Sequence, residues 1–121
     1  MLYALLCHHS EDVVFSWTKE EDAAVMAKLG KVQEGLLKQG KMGPSLRLMP
    51  TTAATTLHKD KNLVIDGPYA ETKEQLLGLY VLDCASLEEA LQIARDLGEA
   101  NPGGAYEIRP ISFYAPGKDI A

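Results

Sequence analysis

Four residues carry side chains suited to acid-base work or to holding a polar ligand, and each stands where a strand should end or a turn begin: His9, Asp66, Tyr69 and Arg109. Asp66 precedes Gly67-Pro68. A carboxylate held by that rigid pair accepts a proton or orients a ligand if burial raises its pKa. The same carboxylate equally caps the turn by accepting from backbone N–H groups. His9 has an imidazole that titrates near neutrality, and strand alternation sends it and His8 in opposite directions, so one of the two should face a pocket. A strand-end histidine is just as ordinary on a surface. Arg109, between Ile108 and Pro110, is placed either to bind an anionic group bidentately or to pair with Asp66. Tyr69 adds a ring beside the Asp66 turn. By contrast Glu71-Thr72-Lys73-Glu74 reads as a solvated polar turn, and His58 as an ordinary loop residue.

Other chemistries find no support in the residue pattern. Three scattered His and two Cys lack the spacing of a metal site, so no metal is expected. Phosphate-cradling glycine loops, nucleophile elbows and dinucleotide fingerprints are missing, and no cofactor is expected. Seventeen acidic against twelve basic residues give a formal net charge of −5, the opposite of a nucleic-acid footprint. No apolar run approaches the roughly 18 residues of a membrane span. The opening MLYALLCHH reads as a first strand rather than a signal peptide, which points to a cytoplasmic protein. Cys7 and Cys84 sit in apolar runs, as small hydrophobes do.

The elements that must position these groups follow from periodicity. Leu2 to Cys7 reads as a buried strand. Thr18 and Glu21 have capping-box spacing, and Val25, Leu29, Val32 and Leu36, flanked by Met26 and Leu37, continue a helix to Gly40. Ser45 to Met49 reads as a second strand. Ala53 to His58 and Asn62 to Asp66 flank a polar tetrad and read as a hairpin. Leu77 to Asp83 is the strongest strand. Ser86 and Glu89 repeat the capping-box spacing before a second helix, with Leu87, Ala90, Leu91, Ala94 and Leu97 on its apolar face and Gly98 closing it. Ala105 to Phe113 is the last strand, limited by Pro110. One α+β domain over 1–121 is expected, ferredoxin-like in its β-α-β-β-α-β order with an inserted β-hairpin.

The strand pattern adds an expectation about assembly. Leu77, Leu79 and Val81 point one way and Tyr80 and Leu82 the other, so both sheet faces are apolar although two helices cover only one. A second copy is the simplest cover, giving a homodimer; the hairpin and C-terminal tail folding over the bare face is the alternative.

The stretch Leu63 to Leu91 is also distinctive. Asp66-Gly67-Pro68-Tyr69, followed by Ala70-Glu71-Thr72-Lys73-Glu74 and the Gly78-containing strand, resembles the Asp-Gly-Pro-Phe signature of the DGPF-domain branch of the YCII-related family, with Tyr for Phe. The resemblance implies a dimeric α/β barrel of ferredoxin-like subunits. Among such relatives it also implies association with extracytoplasmic-type sigma factors in some cases and dehydrochlorination in another. The His-Asp pair proposed for better-described relatives has its His on the first helix, and no His lies between Thr18 and Gly40 here, which weakens the dehydrochlorinase reading. The expectation is a small-molecule-binding homodimer using Asp66 and His9 for acid-base or elimination chemistry, with Tyr69 and Arg109 binding the ligand. The alternative is a non-catalytic regulatory module serving a sigma factor.

Overall fold

A computed structural model describes residues 1–120. Four strands, β1 (Leu2–His9), β2 (Met42–Arg47), β5 (Gln75–Asp83) and β6 (Ala105–Pro110), form an antiparallel sheet in the order β2-β5-β1-β6. A separate two-stranded ribbon pairs β3 (Thr55–His58) with β4 (Leu63–Asp66). Three helices complete the chain: a single turn α1 (Glu11–Val14), α2 (Lys19–Lys38) and α3 (Leu87–Ala100). With the ribbon set aside, the order and pairing are those of the ferredoxin-like α+β fold expected from the sequence.

Capping decides where α2 starts and stops. The Thr18 hydroxyl accepts from the Glu21 N–H at 3.1 Å and the Glu21 carboxylate accepts from the Thr18 N–H at 3.2 Å, the reciprocal box that satisfies two orphan donors. At the other end Gly40 adopts φ +69°, and the N–H groups of Gly40 and Lys41 return to the carbonyls of Leu37 and Leu36. That pair of bonds is a Schellman closure. The second box is only half as expected: Ser86 accepts from Glu89 N–H, but the Glu89 carboxylate reaches Ala85 N–H instead.

The core lies between the two long helices and one sheet face. Tyr3 and Leu5 of β1 and Tyr80 and Leu82 of β5 pack against Leu29 and Leu36 of α2 and Ala90, Ile93, Ala94 and Leu97 of α3. Burying this layer supplies the main stabilisation, at roughly 1.5–3 kcal/mol per large apolar side chain. On α3 the buried face is Ala90, Ile93, Ala94, Leu97 and Ala100, while Leu87 is half exposed. That face follows the i, i+3, i+4, i+7 rows of a helix, and Gly98 lies inside the helix rather than closing it. On α2, Leu37 is similarly left out at 59% exposure.

Three strand boundaries differ from expectation. β2 begins at Met42 and its pairing slips between Met42 and Ser45, where Pro44 has no N–H to give the ladder. β6 stops at Pro110 for the same reason, although Ile111 N–H still bonds the Leu2 carbonyl at 2.9 Å. β1 runs on to His9, and its pairing with β5 shifts between Cys7 and His8, so that Leu77 is an extra residue in β5.

Candidate functional site

Beside the bulge a cavity of about 300 Å³ lies between α2 and the sheet at the far end of β1. Cys7 and His9 of β1, Tyr80 of β5 and Tyr106 of β6 reach it from the sheet; Met26, Leu29 and Gln33 reach it from α2, and Trp17 from the connection before that helix. Alternation explains the sheet side. Cys7 pairs with Gly78 and Tyr106, so these three residues project from the same face as the buried Leu5, Tyr80 and Leu82.

His9 is held from two sides. Its Nδ1 accepts the Ser10 N–H at 2.8 Å, and its ring meets Trp17 edge-on with centroids 6.5 Å apart. Because Nδ1 is an acceptor there, the neutral ring carries its proton on Nε2 and presents a donor. Gly103 makes room for that nitrogen: at φ +95° a Cβ on residue 103 would lie 2.6 Å from His9 Nε2. His8 points to the opposite face, where its Nε2 lies 3.3 Å from a Glu107 carboxylate oxygen, close enough for charge attraction but outside hydrogen-bond geometry.

Burial governs the acidity of the cavity's other polar groups. The Cys7 thiol is pushed up to about 11 by loss of hydration. The Tyr106 phenol is pushed up to about 12, first by burial and then by its neighbours Cys7 and Tyr80. Tyr80 is also raised by burial, in part offset by the Gln33 amide that donates to its oxygen at 2.9 Å. At the rim Arg47 and Asp22 form an ion pair at 3.4 Å, with both side chains substantially exposed.

The four residues singled out in the sequence do not converge on one place. His9 lines the cavity. Asp66 lines a second, open hollow with Thr51, Gly67, Pro68, Thr72 and Gln75. Tyr69 is 82% exposed, against His58 at 5.9 Å between ring centroids. Arg109 is exposed on the sheet face opposite to His9, paired in register with Ala4. Among the described residues no ion pair joins Arg109 to Asp66.

Backbone and neighbouring side chains knit the second hollow together. Gly67, at φ +113°, donates to the Ala54 carbonyl at 2.8 Å and accepts from the Thr56 hydroxyl at 2.9 Å. Glu11 accepts from the N–H and hydroxyl of Thr51 at 2.6 and 2.5 Å, and its own N–H is taken by Gln75 Oε1 at 2.9 Å. The turn is therefore fixed without the Asp66 carboxylate, which makes no hydrogen bond among the described residues.

Sequence reasoning did not single out Trp17, Gln33, Tyr80 or Tyr106 as site residues. The signal for the two tyrosines was strand parity, which already put Tyr80 on one face with Leu82. The convergence of β6 and α2 on that face was not visible. Among the described residues no cluster of His, Cys, Asp or Glu is placed to hold a metal ion, and no helix is long and apolar enough to cross a membrane.

Comparison with known proteins places the chain. It is 56% identical over 121 residues to an uncharacterised protein of Rhizobium meliloti (strain 1021), with 98% of each chain covered. The profile of the YCII-related domain matches residues 1–114. With that match spanning nearly the whole chain and the ferredoxin-like pairing beneath it, the protein belongs to the YCII-related domain family.

Proposed function

We propose that this chain binds a small organic molecule in the cavity between α2 and the sheet, and does so as a homodimer. The observation that carries the binding reading is the cavity itself: a concavity with mostly apolar walls and a few convergent polar side chains is the usual form of a small-molecule site. His9 is the sequence-predicted residue at that site. As a donor through Nε2 it orients a ligand oxygen by a hydrogen bond. Asp66 would serve a ligand only at the second hollow, which Tyr69 does not line. Arg109, on the open sheet face, belongs with the proposed dimer contact.

The dimer reading rests on uncovered surface. The chain exposes 8728 Å², whereas a folded monomer of 13.2 kDa exposes about 6,400 Å² by the size scaling of compact proteins. The difference exceeds the ≈ 800 Å² per partner of a standard interface. Leu46 and the ribbon residues Leu57 and Val64 are each about half exposed or more. The ribbon pairs only with itself and not with the main sheet; the alternative, in which ribbon and C-terminal tail together cover the bare face, predicts a monomer.

Trp17, the sole tryptophan, reports on the cavity. A fragment screen read by its emission should yield binders that also raise the melting temperature, since a ligand at 100 times its Kd adds about 2.7 kcal/mol. Sedimentation should give a dimer that Val81→Asp converts to folded monomer. A screen without binders would remove the first half of the proposal, and a 13 kDa wild-type species the second.

A further inference from the structure

Building on the cavity as a small-molecule site, we propose that its ligand is neutral and is held through a hydrogen-bond acceptor, a carbonyl oxygen, rather than through a charge or a proton it gives up. The polar atoms on the sheet side are predominantly donors. Gln33 donates to the Tyr80 oxygen at 2.9 Å, and Tyr106 reaches the cavity beside Asn101. With its oxygen approached by that donor, Tyr80 has its O–H left to give, and neither phenol donates to a protein acceptor among the described residues. His9 adds Nε2–H, because the Ser10 N–H occupies Nδ1. Cys7 gives its weak S–H to the Leu5 carbonyl, 3.8 Å away, and adds no donor. The tyrosines and Cys7 are held protonated by burial, so none of them is a ready base.

Charge is confined to the rim. Asp22 and Arg47 neutralise each other there, and the remaining cavity walls carry no carboxylate or ammonium group. An ionic ligand would lose hydration without gaining a counter-charge. An apolar body fills the space between Leu29, Met26 and Trp17, and a carbonyl oxygen takes the donors. The one unpartnered acceptor beside them, Asn101 Oδ1, is compatible with a ligand that also bears a single hydroxyl.

A matched series tests this on the full-length protein: acetophenone, 1-phenylethanol, ethylbenzene and 1-phenylethylammonium, titrated while following the Trp17 indole N–H resonance. These probes share one phenyl body and differ in the polar group. Acetophenone should bind tightest, about fivefold better than ethylbenzene for one net hydrogen bond, and the ammonium ion weakest. Tyr80→Phe and Tyr106→Phe, made singly, should each narrow the ketone preference, with the ethylbenzene titration showing that the cavity persists. Equal affinity of ketone and hydrocarbon, or tightest binding of the ammonium ion, would overturn the carbonyl assignment and leave the small-molecule reading standing. If no probe moves the Trp17 resonance, the cavity is not a small-molecule site and both readings fall.

Discussion

The two hollows of this molecule are built in opposite ways. The cavity under α2 is walled by side chains from a packed core, and its phenol and imidazole donors are left over after the fold's own hydrogen bonds are made. The hollow around Asp66 is lined by loop residues, with Thr51, Gln75 and the Gly67 backbone tied to Glu11 and Thr56 around an Asp66 carboxylate that stands exposed. Unspent hydrogen-bonding capacity in an apolar setting is what a ligand can use; the same capacity exposed to water is already met by solvent and offers a ligand little net gain. The most recognisable motif in the sequence therefore lies at the second hollow, while the better-built cavity is assembled from residues far apart in the chain.

The contrast is sharpest in stability. Leu29, 6% exposed, is both core and cavity wall. Leu29→Ala should cost about 2–5 kcal/mol in urea unfolding, and a loss below about 1 kcal/mol would mean that the cavity is not continuous with the core. Cys7 provides the next largest effect. A thiol pushed up to about 11 from an ordinary 9 is ionised about a hundredfold less at pH 8. Alkylation of native protein at that position should be slower than in the unfolded chain by at least that factor. The linked stability is fully present below pH 9, where the thiol is protonated in both states. It is lost as pH rises toward 11, because only the unfolded state ionises freely, and Cys7→Ala should flatten part of that decline.

Glu11 is the exception that tests the polar hollow. Its carboxylate takes two hydrogen bonds from Thr51, so Glu11→Ala should cost about 1–3 kcal/mol by thermal unfolding. A neutral outcome would show that this network is dispensable. The smallest effect belongs to Asp66. Exposed and without a side-chain hydrogen bond among the described residues, it should tolerate replacement by Asn within about 0.5 kcal/mol, leaving ligand binding as the only property the change can alter. A larger loss would restore the carboxylate as a turn cap and narrow the difference between the two hollows.

What the sequence by itself determined was local. Capping residues fixed both ends of α2, because an orphan N–H or carbonyl is satisfied within a few residues. Strand parity in β5 separated Tyr80 and Leu82 from Leu79 and Val81, because side chains alternate whatever the strand packs against. The polar tetrad Lys59 to Asn62 marked the turn of the ribbon, and the family could be recognised from Asp66 to Glu74. Only the tertiary structure decided what these elements bring together. The face of α3 that is buried runs through Ile93 and Ala100 rather than Leu87, because the angle of the helix on the sheet selects among apolar residues that periodicity leaves equivalent. The bulge opposite Cys7 and His8 moves β5 by one residue, and so settles which groups share the cavity. His9, Asp66, Tyr69 and Arg109 are separated because a strand end, a ribbon turn and the opposite sheet face are distances that residue spacing along a chain does not encode.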